Sequence, residues 1–284
     1  KGGFGGGTAG PAFRGGGSGG GLGAGGALFV LDGTVIVANS TLYDNAVKGG
    51  AGGEQATAAS SLGGAIFNLN GSVSLYNSTI VRNETMATAA GLPATNCEGG
   101  AVYHLALGNA TKTASLAIYN SILSDSRLGS PTAHDLAIDS RAAAGSAKLT
   151  VGAANFFGSV DSSLGLPSQG SAGLPDSPDL SNGPAVFVPP IGSAVVNVGE
   201  SAICYGPQVA GRDARGQLRH ASCTLGAIEA DILQAPGCSY VKSSLPSHRM
   251  AWLSVCSGVL WFLLLRRRRR RFPSTKRLGT GGCQ

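Results

Sequence analysis

The sequence predicts an all-β solenoid, in which short strands coil round and stack turn upon turn, followed by a C-terminal hydrophobic helix. Three observations carry this. Residues 25–47 (GGALFVLDGTVIVANSTLYDNAV), 63–85 (GGAIFNLNGSVSLYNSTIVRNET) and 99–127 (GGAVYHLALGNATKTASLAIYNSILSDSR) are copies of one another. Each copy carries strand-type alternation and no helical stripe. An uncharged run, Met250–Leu265, is followed at once by six arginines.

Residues 1–24 are Gly-rich, with Phe4, Phe13 and Leu22 as apolar anchors. Read alone they form a flexible linker. The likeness of Gly2-Gly3-Phe4 to Gly25-Gly26-Ala27 offers the alternative, a remnant of an upstream rung. With no Met start and no signal peptide, a fragment or a misplaced start is expected, and the missing leader says nothing about export.

Residues 25–200 hold the repeats. Each copy opens with Gly-Gly-Ala and an apolar pair and alternates into Asn-Ser, at Asn39, Asn77 and Asn120. Gly25, Gly63 and Gly99 lie 38 and 36 residues apart, a period at which each copy buries its apolar face on its neighbours. In Gly71–Asn77 apolar and small polar residues alternate, and Val35-Ile36-Val37 is β-branched throughout. Both are strand signals. Asp32-Gly33, Asn70-Gly71 and Gly108-Asn109 read as tight corners, because Gly and Asn tolerate positive φ. The loops Lys48–Ser61 and Glu84–Glu98 are expected to protrude, and Lys148-Leu149-Thr150-Val151 to form a degenerate fourth rung.

Asn39, Asn77 and Asn120 are expected at one corner of successive turns, about 4.8 Å apart. Amides at that spacing can hydrogen-bond to each other as a ladder, satisfying polar groups that burial would leave unpaired. Asn45 and Asn83 close two copies where the third has Asp125. The functional alternative is glycosylation, since Asn39, Asn70, Asn77, Asn83 and Asn109 all fit N-x-[ST]. A chain this rich in Asn, Ser and Thr makes such matches by chance, so the ladder is preferred.

The paired GGA-[ILV] and [FLI]-x-x-N elements resemble those of polymorphic outer membrane proteins and related bacterial right-handed parallel β-helix proteins. Leu42-Tyr43-Asp44-Asn45 and Ile80-Val81-Arg82-Asn83 stand where that family places Phe-x-x-Asn. Later motifs resemble the closing part of choice-of-anchor Q proteins: Ser177–Leu180, Asn182-Gly183-Pro184, Gly192–Asn197, Cys204, Gly211–Gly216 with Arg219, and Cys223–Glu229. The likeness spans residues 25–231 and implies that the solenoid is a right-handed parallel β-helix. Two motifs depart from the family, with Asp213-Ala214-Arg215-Gly216 for Asp-Gln-Arg-Gly and Thr224-Leu225-Gly226-Ala227 for Asp-Ile-Gly-Ala. The resemblance also implies a closing segment, residues 201–231, with a Cys204–Cys223 disulfide. Such a bridge would stabilise by about 3 kcal/mol in an oxidising compartment. Zinc is a poor rival, because no C-x-x-C occurs and His220 stands alone.

A linker, residues 232–249, leads to residues 250–271, the expected transmembrane helix with its Arg cluster, and then to a tail, 272–284. The 16 residues Met250–Leu265 cover about 24 Å, short of a hydrocarbon core of about 30 Å. His248 and the stems of Arg249 and Arg266 close most of the gap. Trp252 and Trp261 lie toward the two ends, and Arg266 to Arg271 would hold their end in the cytoplasm. The alternative is a buried helix followed by a nucleic-acid or nuclear-import patch. A short motif, an apolar span and an Arg cluster resemble bacterial C-terminal sorting signals of the myxobacterial type. On that resemblance Cys238 marks an anchoring or processing site, and Arg266, Arg267 and Arg268 belong to the anchor.

Charge is segregated along the chain. Up to His248 there are 12 Lys+Arg against 15 Asp+Glu, a net of −3, and the other 9 cations follow. The body is therefore not a nucleic-acid binder by charge. Enzymatic signals are thin. Asp135 with Asp139 and Arg141, or Arg212 with Asp213 and Arg215, could supply the clustered carboxylates of a polysaccharide lyase or glycoside hydrolase. Neither set recurs from copy to copy, so structural roles are preferred and no catalytic, metal or cofactor residue is assigned. The expectation is an exported, envelope-anchored and non-enzymatic protein, displayed at the cell surface. It would touch the membrane through its C-terminal helix and offer a long flank to surface glycans or proteins.

Overall fold

The computed structural model describes residues 19–52, 58–86, 97–128, 134–143 and 146–230. The expected C-terminal helix, Cys238, Arg266, Arg267 and Arg268 lie outside the described residues. Among those described, no helix is long and apolar enough to cross a membrane.

The described chain is almost entirely β, built as stacked turns of short parallel strands. The first turn contains β1 (Gly23–Ala24), β2 (Leu28–Leu31), β3 (Thr34–Ala38), β4 (Thr41–Tyr43) and β5 (Ala46–Lys48). The second contains β6 (Ser61–Leu62), β7 (Ile66–Leu69), β8 (Ser72–Tyr76), β9 (Thr79–Val81) and β10 (Glu84–Met86). The third contains β11 (Cys97–Glu98), β12 (Val102–Ala106), β13 (Ala114–Tyr119), β14 (Ile122–Ser124) and β15 (Arg127–Leu128). A shorter fourth turn has β16 (Leu136–Ser140), β17 (Ala147–Val151) and β18 (Phe156–Phe157). Every strand pairs in parallel with its counterpart one turn away, giving the sheets β1-β6-β11, β2-β7-β12-β16, β3-β8-β13-β17, β4-β9-β14-β18 and β5-β10-β15. This is a parallel β solenoid, and the degenerate fourth rung is real: Leu149 pairs with Leu116.

The corners explain the repeat's polar residues. Four positions in each complete turn need a left-handed backbone, and the sequence fills them with Gly, Asn or Asp almost throughout. Gly25, Gly63 and Gly99 precede β2, β7 and β12; Asp32 and Asn70 follow β2 and β7; Asn39, Asn77 and Asn120 follow β3, β8 and β13. The last corner holds Asp44, Arg82 and Asp125, all with φ between 53° and 58°. Arg82 is the costly member, because a long side chain gains nothing locally from that conformation. The second glycine of each GGA has a different reason. A Cβ on Gly64 would lie 2.3 Å from the Gly100 carbonyl oxygen, so only glycine lets the turns close up here.

Between corners, alternation sorts the side chains. Val73, Leu75, Ile80, Leu116, Ile118 and Leu123 point inward and are essentially inaccessible to water. Each stacks on its counterpart in the next turn, which is how a repeat that cannot bury its own apolar face acquires a core. The sheet β4-β9-β14-β18 is buried on its outer side as well. There Tyr43, Val81, Ile122 and Phe156 meet Ala172, Leu174, Phe187, Val195 and Leu225 of the chain that follows the coil.

Three details differ from the sequence reading. Glu84–Met86 continues the second turn as β10, so that loop begins later than expected. Ser124 pairs with Val81, which puts Asp125 level with Arg82 and makes Ser126 the continuation of Asn45 and Asn83. Asp125 takes the left-handed corner, so the residue after it inherits the Asn position. Regular strands also end at Phe157, well before residue 200. Pro167, Pro175, Pro178, Pro184, Pro189 and Pro190 remove the amide donors that further parallel pairing would need.

Candidate functional site

One flank of the solenoid is built differently from the rest. In β3-β8-β13-β17 the inward residues Val35, Val73, Leu116 and Leu149 fix the phase, so Thr34, Ile36, Ala38, Ser72, Ser74, Tyr76, Ser115, Ala117, Tyr119, Lys148 and Thr150 face outward. This face is small and hydroxyl-rich, with Lys148 as its only charge, and Ile36 on it is 58 % exposed. The Ser115 hydroxyl donates to the Ser72 hydroxyl at 2.8 Å, one turn away. Along one edge the Tyr76 and Tyr119 rings stack with centroids 5.1 Å apart. The sheet β2-β7-β12-β16 offers a contrast, since its outward Phe67 and Tyr103 are buried and stacked on each other, 5.8 Å between centroids.

Beside this face, at the corner after β3, β8 and β13, Asn39, Asn77 and Asn120 stack as the sequence spacing suggests. Their backbone amides donate to Tyr76, Tyr119 and Ala154 of the following turn. Their side chains do not bond to one another as a ladder. They turn outward and hold the closing segment, which crosses the corner as a strap. Asn120 donates to the Glu200 carbonyl at 3.0 Å and accepts from the Glu200 amide at 2.9 Å. Asn77 and Asn120 both donate to the sulfur of Cys204, at 3.4 and 3.1 Å. Asn39 donates to the Arg212 carbonyl and accepts from the Arg219 guanidinium, each at 2.9 Å. The physical reason is availability: the strap supplies partners for amides that would otherwise have only each other. A ladder bond does form at the next corner, where Asn45 donates to Asn83 at 2.9 Å.

The strap carries its own frame. Cys204, at the end of the one-turn helix α1 (Ser201–Cys204), is disulfide-bonded to Cys223. Cys97 is a buried free thiol. Arg219 is buried and donates to the carbonyls of Arg212, Thr224 and Gly226 and to Glu229. Burial pulls the proton affinity of its guanidinium down, and Glu229 and Asp213 oppose that. Glu229 in turn accepts from the Thr224 amide and pairs with His220 at 3.0 Å. Farther along, Arg215 donates to Asp179 at 2.7 Å, which holds that carboxyl well below the usual carboxylate range.

The acids considered as catalysts are engaged in the same kind of work. Asp213 accepts from the amides of Arg215, Gln217 and Glu229. Asp135 accepts from the amides of Ser126 and Ser159, and burial raises its pKa. Asp139 pairs with Arg141 and accepts from the Tyr103 hydroxyl at 3.1 Å, with burial first and Asp139 second raising the phenol's pKa. The two acids Asp135 and Asp139 are therefore not brought to one centre. Among the described residues no group of three or more His, Cys, Asp or Glu could hold a metal ion.

Sequence reasoning missed one polar pair in the interior. Asn68 and His104 occupy inward positions of β7 and β12, where the first and fourth turns have Val30 and Ile138. The signal was present but ambiguous: Ile66-Phe67-Asn68-Leu69 and Val102-Tyr103-His104-Leu105 are apolar on both faces, so their phase could not be read. Compared with family models, curated proteins and solved structures, the chain matches none.

Proposed function

We propose that this chain is a non-enzymatic display protein of the cell envelope, a right-handed β-helix exported and held by its C-terminal span. It serves in adhesion or surface structure by binding glycans or proteins. The observation that carries the reading is the outer face of β3-β8-β13-β17. It is open and nearly uncharged, whereas the outer sides of the other two four-stranded sheets carry aromatic and aliphatic residues that are buried in the second and third turns, with Phe29 and Leu31 of the first turn exposed. A right-handed coil is what parallel crossovers adopt almost without exception. Export is supported by the buried Cys204–Cys223 disulfide, since such bridges persist in oxidising compartments. The structural roles of Asp135, Asp139 and Asp213 favour display over a polysaccharide lyase or hydrolase.

The test uses Ser74→Arg and Ala117→Arg, both on the open face and away from the core. The exported chain is expected to be retained by surface polysaccharides or cell-surface proteins, and both variants are expected to reduce retention at least tenfold while folding normally. Release of shortened polysaccharide products by the unmodified chain would overturn the reading in favour of the enzyme. Intact-mass measurement of the membrane fraction tests the anchor, by showing whether the chain is cut or lipidated near Cys238.

A further inference from the structure

We propose that His104 is an acid trigger for the solenoid: a proton taken up by this imidazole opens the stack between the second and third turns. The ring is fully buried in the interior of the coil. Its Nδ1 lies 2.9 Å from the amide nitrogen of Asn68, one turn away. The orientation of that amide is pinned. Its nitrogen also donates to the carbonyls of Gly71 and Ser115 at 3.1 Å, and its oxygen accepts from the Gly71 amide at 3.1 Å. An amide nitrogen accepts no hydrogen bond, so Nδ1 must be the bare nitrogen, sharing the two Asn68 hydrogens with the Gly71 and Ser115 carbonyls, and the ring proton sits on Nε2. The backbones of Lys148 and Ala114 lie near enough to the ring to favour its proton, against the larger effect of burial, although Nε2 makes no hydrogen bond of normal geometry.

Protonation of Nδ1 would set a donor against a donor across a buried side-chain contact between these two turns. Turning the Asn68 amide over would forfeit its three backbone bonds. Among the described residues no counter-charge is in reach. Asn68 faces the ring from β7, Ile138 from β16, and the remaining partners are backbone carbonyls. Lys148, Tyr103 and Asp139 all lie on outward positions of the neighbouring strands. Burial accordingly lowers the pKa of His104 from the ordinary 6.5 to about 4.

The sign follows from linkage. Between pH 6.5 and about 4 the unfolded chain carries a proton on His104 that the folded chain refuses. Stability is therefore lost as the pH falls through that window, with the unfolding constant rising up to about tenfold per pH unit. Urea unfolding of the full chain with its disulfide intact, at pH 6.5 and pH 4.5, tests this against His104→Val and His104→Asn. The valine variant copies Val30 and leaves both Asn68 hydrogens with carbonyl partners; the asparagine variant keeps a neutral polar group. The wild-type unfolding constant is expected to rise about 40-fold more than that of either variant over the two pH units. At pH 5 the amides that bond the second turn to the third should lose hydrogen-exchange protection relative to those that bond the first turn to the second. Equal pH slopes in all three proteins, or uniform loss of protection, would overturn the proposal. If neither variant folds, the ring's NMR titration in the wild type decides, and a midpoint near 6.5 in the folded chain refutes it.

Discussion

Replacing Arg219 by Met tests whether the strap is truly fastened to the first turn. The guanidinium is buried and spends its donors on the Asn39 amide oxygen, the carbonyls of Arg212, Thr224 and Gly226, and Glu229. Removing one member of a buried ion pair costs about 3–5 kcal/mol, chiefly because the other charge is stranded. Glu229 is less stranded than most, since it keeps the Thr224 amide and His220. That argues for the lower end. Against this, the Asn39, Thr224 and Gly226 oxygens lose their Arg219 donor, at about 1 kcal/mol or more each where nothing replaces it, while the Arg212 carbonyl keeps the Asn39 amide. Met recovers part by filling the space of the aliphatic stem. The expected loss is about 4 kcal/mol, a large share of the roughly 5–15 kcal/mol that holds a typical domain together. Guanidinium unfolding at pH 7 with the disulfide intact measures it, with Arg212→Met, an exposed side chain, as the control expected within about 0.5 kcal/mol of wild type. A loss below about 1 kcal/mol, or one equal to that of the control, would refute the idea that this guanidinium docks the strap.

Two further outcomes follow from the geometry. Gly64→Ala drives a methyl to 2.3 Å from the Gly100 carbonyl oxygen and 2.9 Å from the Glu84 amide nitrogen, both backbone atoms that cannot step aside. It should cost about 3 kcal/mol or more, read as a collapse in soluble yield and in melting temperature. The paired change Cys204→Ala with Cys223→Ala should cost about 3 kcal/mol for releasing a loop of this length. An unchanged denaturation midpoint would mean that the strap is held by its polar contacts alone.

The coil was readable because its periods are local. Gly63, Asn70 and Asn77 mark three corners of one turn, and the alternation in Gly71–Asn77 gives the phase of β8 without any tertiary knowledge. What could not be read was which partner each polar group would find. Asn77 was expected to bond to a neighbouring Asn, and the sulfur of Cys204, 127 residues away, wins through folding of the strap. Asp125 was placed one residue out because residue type was matched instead of spacing: Asn45 and Asn83 follow Asn39 and Asn77 by six residues, whereas Asp125 follows Asn120 by five. His104 escaped because β12 is apolar on both sides, and only coordinates say which side is the interior.

The strap changes what kind of polymer this coil is. A solenoid whose turns meet only their neighbours has a stability that is a sum along one dimension, and it frays from its ends. Here residues 200–226 tie Asn39, Asn77 and Asn120, in three successive turns, to one covalently closed segment. Peeling away the first turn must also detach Arg219, and with it the segment that grips the third. Fraying is thereby converted into a cooperative event.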